Sequence, residues 1–314
     1  MAGDLPHRPR AVRLTRPARP GERAAVARYL DTTSPEALFV LSAVAQYVGA
    51  TIAVLLFDEV APRTVAWLRV VGAATTVLVV ARHGLRGWTR RQLGAAALFG
   101  IATAVMNLFF YLAIDRTDLG KSVAIEFIGP ITVAAVMTRS RRNAGALALA
   151  AVGVSVLGGV ELGGNTAGLV FLLIASTCWA AYIVVGSRVA HLGRGVAGLG
   201  IGLGIGALVL TPVGAPGSGP VWTSPRLLFA CLVVGVFSNA IGYGIDQHVL
   251  RRIPVRRFSV LLALLPVTAV AMGWIVLDQA PSALDVAGIL AVLAGVALQE
   301  RDELAAELAA PDPS

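Results

Sequence analysis

Residues 38–57 read LFVLSAVAQYVGATIAVLLF, twenty residues without a charge. A helix rises 1.5 Å per residue, so about 20 such residues cross the ~30 Å hydrocarbon core of a bilayer. Comparable stretches follow at 64–81, 93–113, 120–138, 144–160, 168–187, 196–212, 227–245, 258–277 and 284–298. With 56% hydrophobic and 14% charged residues, the chain has more apolar surface than one aqueous globule can hide, and lipid must cover the remainder. The reading is an all-α integral membrane protein of ten transmembrane helices with short connections.

The arginines orient it. If the N-terminus is cytoplasmic, 21 of the 26 basic residues fall on the inner side: seven in the leader, then clusters around Arg82, Arg139, Arg188 and Arg251, and finally Arg301. The outer side holds Arg63, Arg116, Lys121 and Arg226, while Arg69 lies within the second span. Positive residues mark cytoplasmic loops, so both termini are expected inside. Residues 1–37 form an Arg/Pro-rich leader with too little apolar content to pack, and a disordered segment is expected. Residues 299–314 form an acidic cytoplasmic tail. The charge serves topology and anionic headgroups, which makes lipid the partner and excludes nucleic acid.

The two halves echo each other. YLAIDRTDLGKSVAIEFIGP (111–130) and QHVLRRIPVRRFSVLLALLP (247–266) each run across a short turn to a proline inside a span, with Pro130 and Pro266 in register. Repeats of five spans, 38–160 and 161–298, would have opposite orientations, and secondary transporters use such inverted repeats to alternate access to a midplane site.

Polar groups inside these spans are the candidate site. Glu126, in SVAIEFIGPITVAAVM (122–137), is too costly for the lipid face and should look into the bundle. Pro130 removes the hydrogen bond to the Glu126 carbonyl, so a carbonyl and a carboxylate are freed together, a cradle for an ammonium group or a proton. The alternative is a structural ion pair. Arg69 either snorkels to headgroups or turns inward to hold a substrate carboxylate. Asp246, closing the eighth span, is either neutralised by nearby arginines or acts in gating or coupling. Gln46, Asn107 and Asn239 either line a polar path or bond between helices. Tyr47, Phe109, Phe110 and Tyr111 are cavity walls or plain packing. Glycines 198, 202 and 206, and 200 and 204, give the seventh span bare faces for tight packing or sliding.

No phosphate-binding glycine loop, HExxH, CxxC or GxSxG occurs, so neither an ATPase nor another enzyme is read. The four histidines are scattered, and Cys178 and Cys231 sit singly in apolar stretches, so no metal or cofactor is expected.

AWLRVVGAATTVL (66–78), AIEFIGPITVAAVMTRSRR (124–142) and YGIDQHVLRRIPVRRFSVLLALLPVTAVAMGWIVLDQAPS (243–282) resemble the EamA group of the drug/metabolite transporter superfamily, with the bacterial inner-membrane exporters of threonine and homoserine as nearest subgroup. The resemblance implies export of small amino acids by alternating access, commonly with proton exchange. It places the family's span-4 glutamate on Glu126, its mid-helix proline on Pro130, its span-2 arginine on Arg69 and its acidic residue after the eighth-span tyrosine on Asp246. The family commonly has Glu before the span-9 proline, where this chain has Leu265 before Pro266, a departure that bears on proton coupling and substrate choice. The expected function is therefore a secondary exporter of small amino acids in the plasma membrane. The rivals are an exporter of another small polar metabolite or cationic drug, and a channel-like or structural membrane protein. Monomer and homodimer are both open.

Overall fold

The computed structural model describes residues 31–81, 87–138, 141–162, 165–190, 195–250, 252, 261 and 264–309, and among them every regular element is a helix. The chain divides into two units, Met1–Ser34 and Pro35–Ser314. Most of the expected leader, and the arginines at 82, 86, 139, 194, 251, 256 and 257, lie outside the described residues.

Helix starts follow from local sequence. Helices α1 (Pro35–Leu56) and α2 (Pro62–Val80) each begin on a proline, whose missing N–H costs nothing in a first turn. Helix α3 (Arg90–Ile114) begins with a capping box, in which the Thr89 side chain accepts from Gln92 N–H and the Gln92 side chain accepts from Thr89 N–H. Helices α4 (Leu119–Glu126) and α5 (Ile128–Thr138) divide the fourth stretch at Phe127. Pro130 explains the break, since it leaves the carbonyl of residue 126 without its helical donor. There follow α6 (Arg141–Leu162), α7 (Thr166–Ala190), α8 (Gly195–Gly214) and the short α9 (Gly219–Thr223). The eighth stretch is α10 (Pro225–Gly235), a π-helical segment (Val236–Ile241) and α11 (Gly242–Leu250). The chain ends with α12 (Leu264–Leu277) and α13 (Ala283–Ala309), so the tenth helix continues into what reads as tail.

Helix thus occupies at least part of every expected stretch. Six helical segments are long and apolar enough to cross a membrane by length and composition: Pro35–Leu56, Pro62–Val80, Arg90–Ile114, Thr166–Val185, Ala197–Gly214 and Pro225–Asp246. Shorter apolar helices lie at Ala144–Leu157, Leu264–Leu277 and Ala283–Leu298. Large apolar side chains such as Leu208, Phe229 and Ile275 point outward, as a lipid-facing surface requires.

Helix α3 packs on α7 and α8, α2 on α8 and α10, α4 on α12, α6 on α13, and α1 on the π segment, α11 and α12. Small residues permit the closest of these approaches. A Cβ on Gly100 would strike the Gly202 backbone, and one on Gly206 would meet Gly100 and Ala104, so one glycine row of α8 seats on α3. Gly200 and Gly204 look instead toward Leu78 on α2. Both rows serve packing, which lipid-embedded helices achieve through close backbone approach.

Candidate functional site

Ser42, Gln46 and Gly49 recur at helical spacing on one face of α1, and that face meets the π segment and α11. Ser42 Oγ donates to Asp246 Oδ1 at 2.5 Å and is 2.9 Å from the Gly242 carbonyl; Gln46 Nε2 donates to Asp246 Oδ2 at 3.1 Å. Ser238 Oγ donates to the Gln46 carbonyl at 3.1 Å. Asp246 is the last residue of the apolar span Pro225–Asp246, while α11 continues to Leu250; among the described residues its carboxylate accepts from Ser42 and Gln46, and Arg251, Arg256 and Arg257 lie outside the described residues.

Arg69 is 6% exposed and turns inward. Its Nε donates to Asn239 Oδ1 at 2.5 Å, and its guanidinium carbon stands 4.8 Å from the Tyr111 ring centroid. The snorkelling alternative is thereby excluded. The partner comes from the π segment, whose extra residue per turn re-aims side chains and is often found at functional sites. Gly235, just before that segment, lies against the Arg69 backbone, and only a residue without Cβ allows the approach.

Glu126 is 7% exposed at the last position of α4, where the chain breaks. It makes no hydrogen bond or ion pair among the described residues. The structural ion-pair alternative therefore lacks a direct partner. Phe127 packs edge-on against Trp179 at 5.0 Å and Gly129 abuts the Ser176 backbone, which hold the break against α7.

Other expectations fare differently. Asn107 is buried but donates to the Thr103 carbonyl of its own helix at 2.8 Å, so no hydrogen bond brings it into the network. Pro266 lies in the first turn of α12 as described, beside buried Leu265. Phe109 packs on Phe171 at 5.7 Å and Phe110 on Tyr111 at 6.1 Å. Tyr47 is buried on α1. Ser42, Ser238 and the Tyr111 hydroxyl were not singled out in the sequence; for Ser42 the signal was its position four residues before Gln46.

A polar, open cavity of about 460 Å³ lies beyond Phe57, lined by residues including Phe57, Asp58, Ile114, Asp115, Arg116 and Asp118. Its size suits a small organic ligand. Phe57 also meets the Tyr111 ring edge-on at 6.0 Å, so two aromatic rings separate the cavity from Arg69. At the same end Lys121 pairs with Asp118 at 2.9 Å and with buried Asp285 at 3.4 Å, and Gln279 Oε1 accepts from Leu119 N–H at 2.9 Å.

Comparison with known proteins gives a consistent picture. The profile described as the EamA-like transporter family matches residues 166–299. The threonine/homoserine exporters RhtA of Salmonella typhimurium and of Escherichia coli K12 are each 30% identical over 251 residues, covering 78% of this chain and 84% of theirs. A solved crystal structure superposes with a TM-score of 0.58 at 20% identity, covering 88% of this chain and 99% of its own, a likeness of fold.

Proposed function

The chain belongs to the EamA-like transporter family, and from that premise we propose that it is a secondary carrier exporting small amino acids of the threonine/homoserine type across the bacterial inner membrane. It is a membrane transport protein, not an enzyme. The observation that carries the amino-acid reading is the pair Arg69 and Glu126: a basic and an acidic side chain, both buried, with no hydrogen bond or ion pair between them among the described residues. Buried charges are expensive in a membrane and are retained where they serve a pathway. Arg69 holds the substrate carboxylate, and Glu126 takes its ammonium group or a proton that returns as substrate leaves. Asp246, steadied by Ser42 and Gln46, is a second carboxylate for coupling, and it stands in a half whose span-9 proline follows Leu265 rather than Glu.

Alternating access requires two halves that move against each other, and the packing pattern supports ten spans in two inverted repeats, 38–160 and 161–298. With the stretches numbered in chain order, 3 packs on 6 and 7, while 8 packs on 1 and 2; 2 packs on 7, 4 on 9 and 5 on 10. Adding or subtracting five turns the first relation into the second and leaves the others unchanged. Two related halves about a pseudo-two-fold axis would produce this pattern. With the arginine-rich loops cytoplasmic, the Lys121 end and its cavity face outward, and both termini lie inside.

A second reading has its own support. Glu126 and Asp246 stand inside against the guanidinium of Arg69, and Asp58 adds a carboxylate at the cavity, where Asp115 and Asp118 are paired with Arg116 and Lys121; this surplus of carboxylates favours a cationic substrate such as an amine drug. Counterflow in proteoliposomes tests the first. Vesicles loaded with unlabelled threonine, homoserine or mixed amino acids should accumulate labelled threonine or homoserine, and Glu126→Gln should abolish the accumulation. Wild-type rates in properly inserted Glu126→Gln protein would refute the role of Glu126.

A further inference from the structure

Three buried polar atoms stand together without a hydrogen-bond partner. Among the described residues, Arg69 Nη1, Tyr111 Oη and Asn239 Nδ2 have no hydrogen-bond partner, although Tyr111 and Asn239 are fully buried and Arg69 nearly so. Their proximity rests on geometry already given: Arg69 Nε bonds the amide oxygen of Asn239, and the guanidinium lies over the Tyr111 ring. The amide orientation is fixed, because a guanidinium can only donate and therefore faces the Asn239 oxygen, leaving the NH₂ group as the surplus donor. Elsewhere in the region the polar groups are matched: Ser42 and Gln46 serve Asp246, and Ser238 serves the Gln46 carbonyl. The unmatched groups can all donate, and one of them is permanently positive.

Leaving buried donors unpaired is costly, and a buried guanidinium without a direct counter-ion more so. A carboxylate answers all three at once, since its two oxygens offer about four acceptor sites and can take bidentate bonds from arginine. We infer that Arg69, Tyr111 and Asn239 form a carboxylate subsite, that the Tyr111 hydroxyl is a specificity-determining donor in it, and that a carried molecule must therefore present a free carboxylate. The inference rests on the carrier reading and sharpens it, for a cationic amine without an acid group would leave the Arg69 and Asn239 donors unanswered. Tyr111 has two parts in this site: its ring carries the guanidinium, and its hydroxyl addresses the ligand.

The test needs no change to the protein. In counterflow of labelled threonine, unlabelled threonine is compared with threoninamide as competitor; the amide keeps the ammonium group and the side chain but has lost the acid. Threonine should compete roughly tenfold or more better, the worth of a charge-assisted hydrogen bond. Tyr111→Phe, which keeps the ring over Arg69, should weaken threonine about as much while weakening threoninamide, whose uncharged carbonyl accepts a weaker bond, far less, a selectivity that a merely structural tyrosine would not show. Equal competition by acid and amide in the wild type overturns the subsite while the carrier reading stands. So does a Tyr111→Phe protein that loses both ligands equally or neither. If folded, inserted wild type accumulates neither threonine nor homoserine, the amino-acid reading itself fails and the subsite falls with it.

Discussion

A methyl group at position 235 should damage the site from behind. Gly235 lies against the backbone of Arg69, where a Cβ would overlap the Arg69 carbonyl, and four residues later Asn239 accepts from the Arg69 side chain. Gly235→Ala must therefore push the π segment away from α2. Overpacking of this kind costs about 1–3 kcal/mol. Separation also breaks the bond from the charged guanidinium, worth about 1.5–3 kcal/mol. The single substitution should thus cost about 2.5–6 kcal/mol in equilibrium unfolding in mixed micelles. Asn239→Ala removes the same bond without the steric clash. In the double variant the bond can be lost only once, so the two costs should fall short of additivity by about 1.5–3 kcal/mol. Strict additivity would refute the reasoning, because the methyl group would then be acting elsewhere than through the Arg69–Asn239 contact. Stability equal to wild type in Gly235→Ala would refute the close approach itself.

Other substitutions separate packing from surface chemistry. Gly94 is exposed within α3 with nothing near its absent Cβ, so Gly94→Ala should stabilise by about 0.5–1 kcal/mol, while Gly100→Ala, six residues on and against the Gly202 backbone, should destabilise by about 1–3 kcal/mol; thermal unfolding in detergent with shifts of the same sign would be inconsistent with the α3–α8 packing. Asp285 accepts from Ser282 N–H and Oγ at 2.8 Å each and pairs with Lys121, so Asp285→Ala should cost at least the ~1 kcal/mol of a lost cap, whereas Asp115→Ala breaks a partly exposed pair with Arg116 worth about 0–1 kcal/mol. The reverse order in melting temperatures would count against the ion cluster at the Lys121 end.

The course of the helices was legible because lipid imposes a length and a composition that charge-free runs such as 38–57 display directly. The break near Glu126 was legible too, since Pro130 acts on the carbonyl of a residue whose identity can be read. Arg69 was legible only as an alternative. What decides its direction is Asn239, 170 positions away, delivered by a π segment that no local pattern in VFSNAI (236–241) announces. Asn107 shows the converse: a buried amide looks the same in sequence whether it faces a path or, as here, caps a carbonyl of its own helix. Tyr111 was readable as a ring, but its hydroxyl acquires meaning only beside two other unmatched donors. Asp246 was legible as the close of the eighth span, but its bond from Ser42, 204 positions away on another helix, was not.

Lys121 is the sole lysine in 314 residues, so the chain has one side-chain primary amine. That amine is clasped between Asp118 and Asp285, where α4 meets the start of α13 beside the cavity. An amine-selective reagent in a reconstituted sample thus addresses a single internal position without any engineered cysteine. Its labelling rate becomes a clock for how often that end of the bundle loosens, and a transported molecule that changes the rate reports its own arrival.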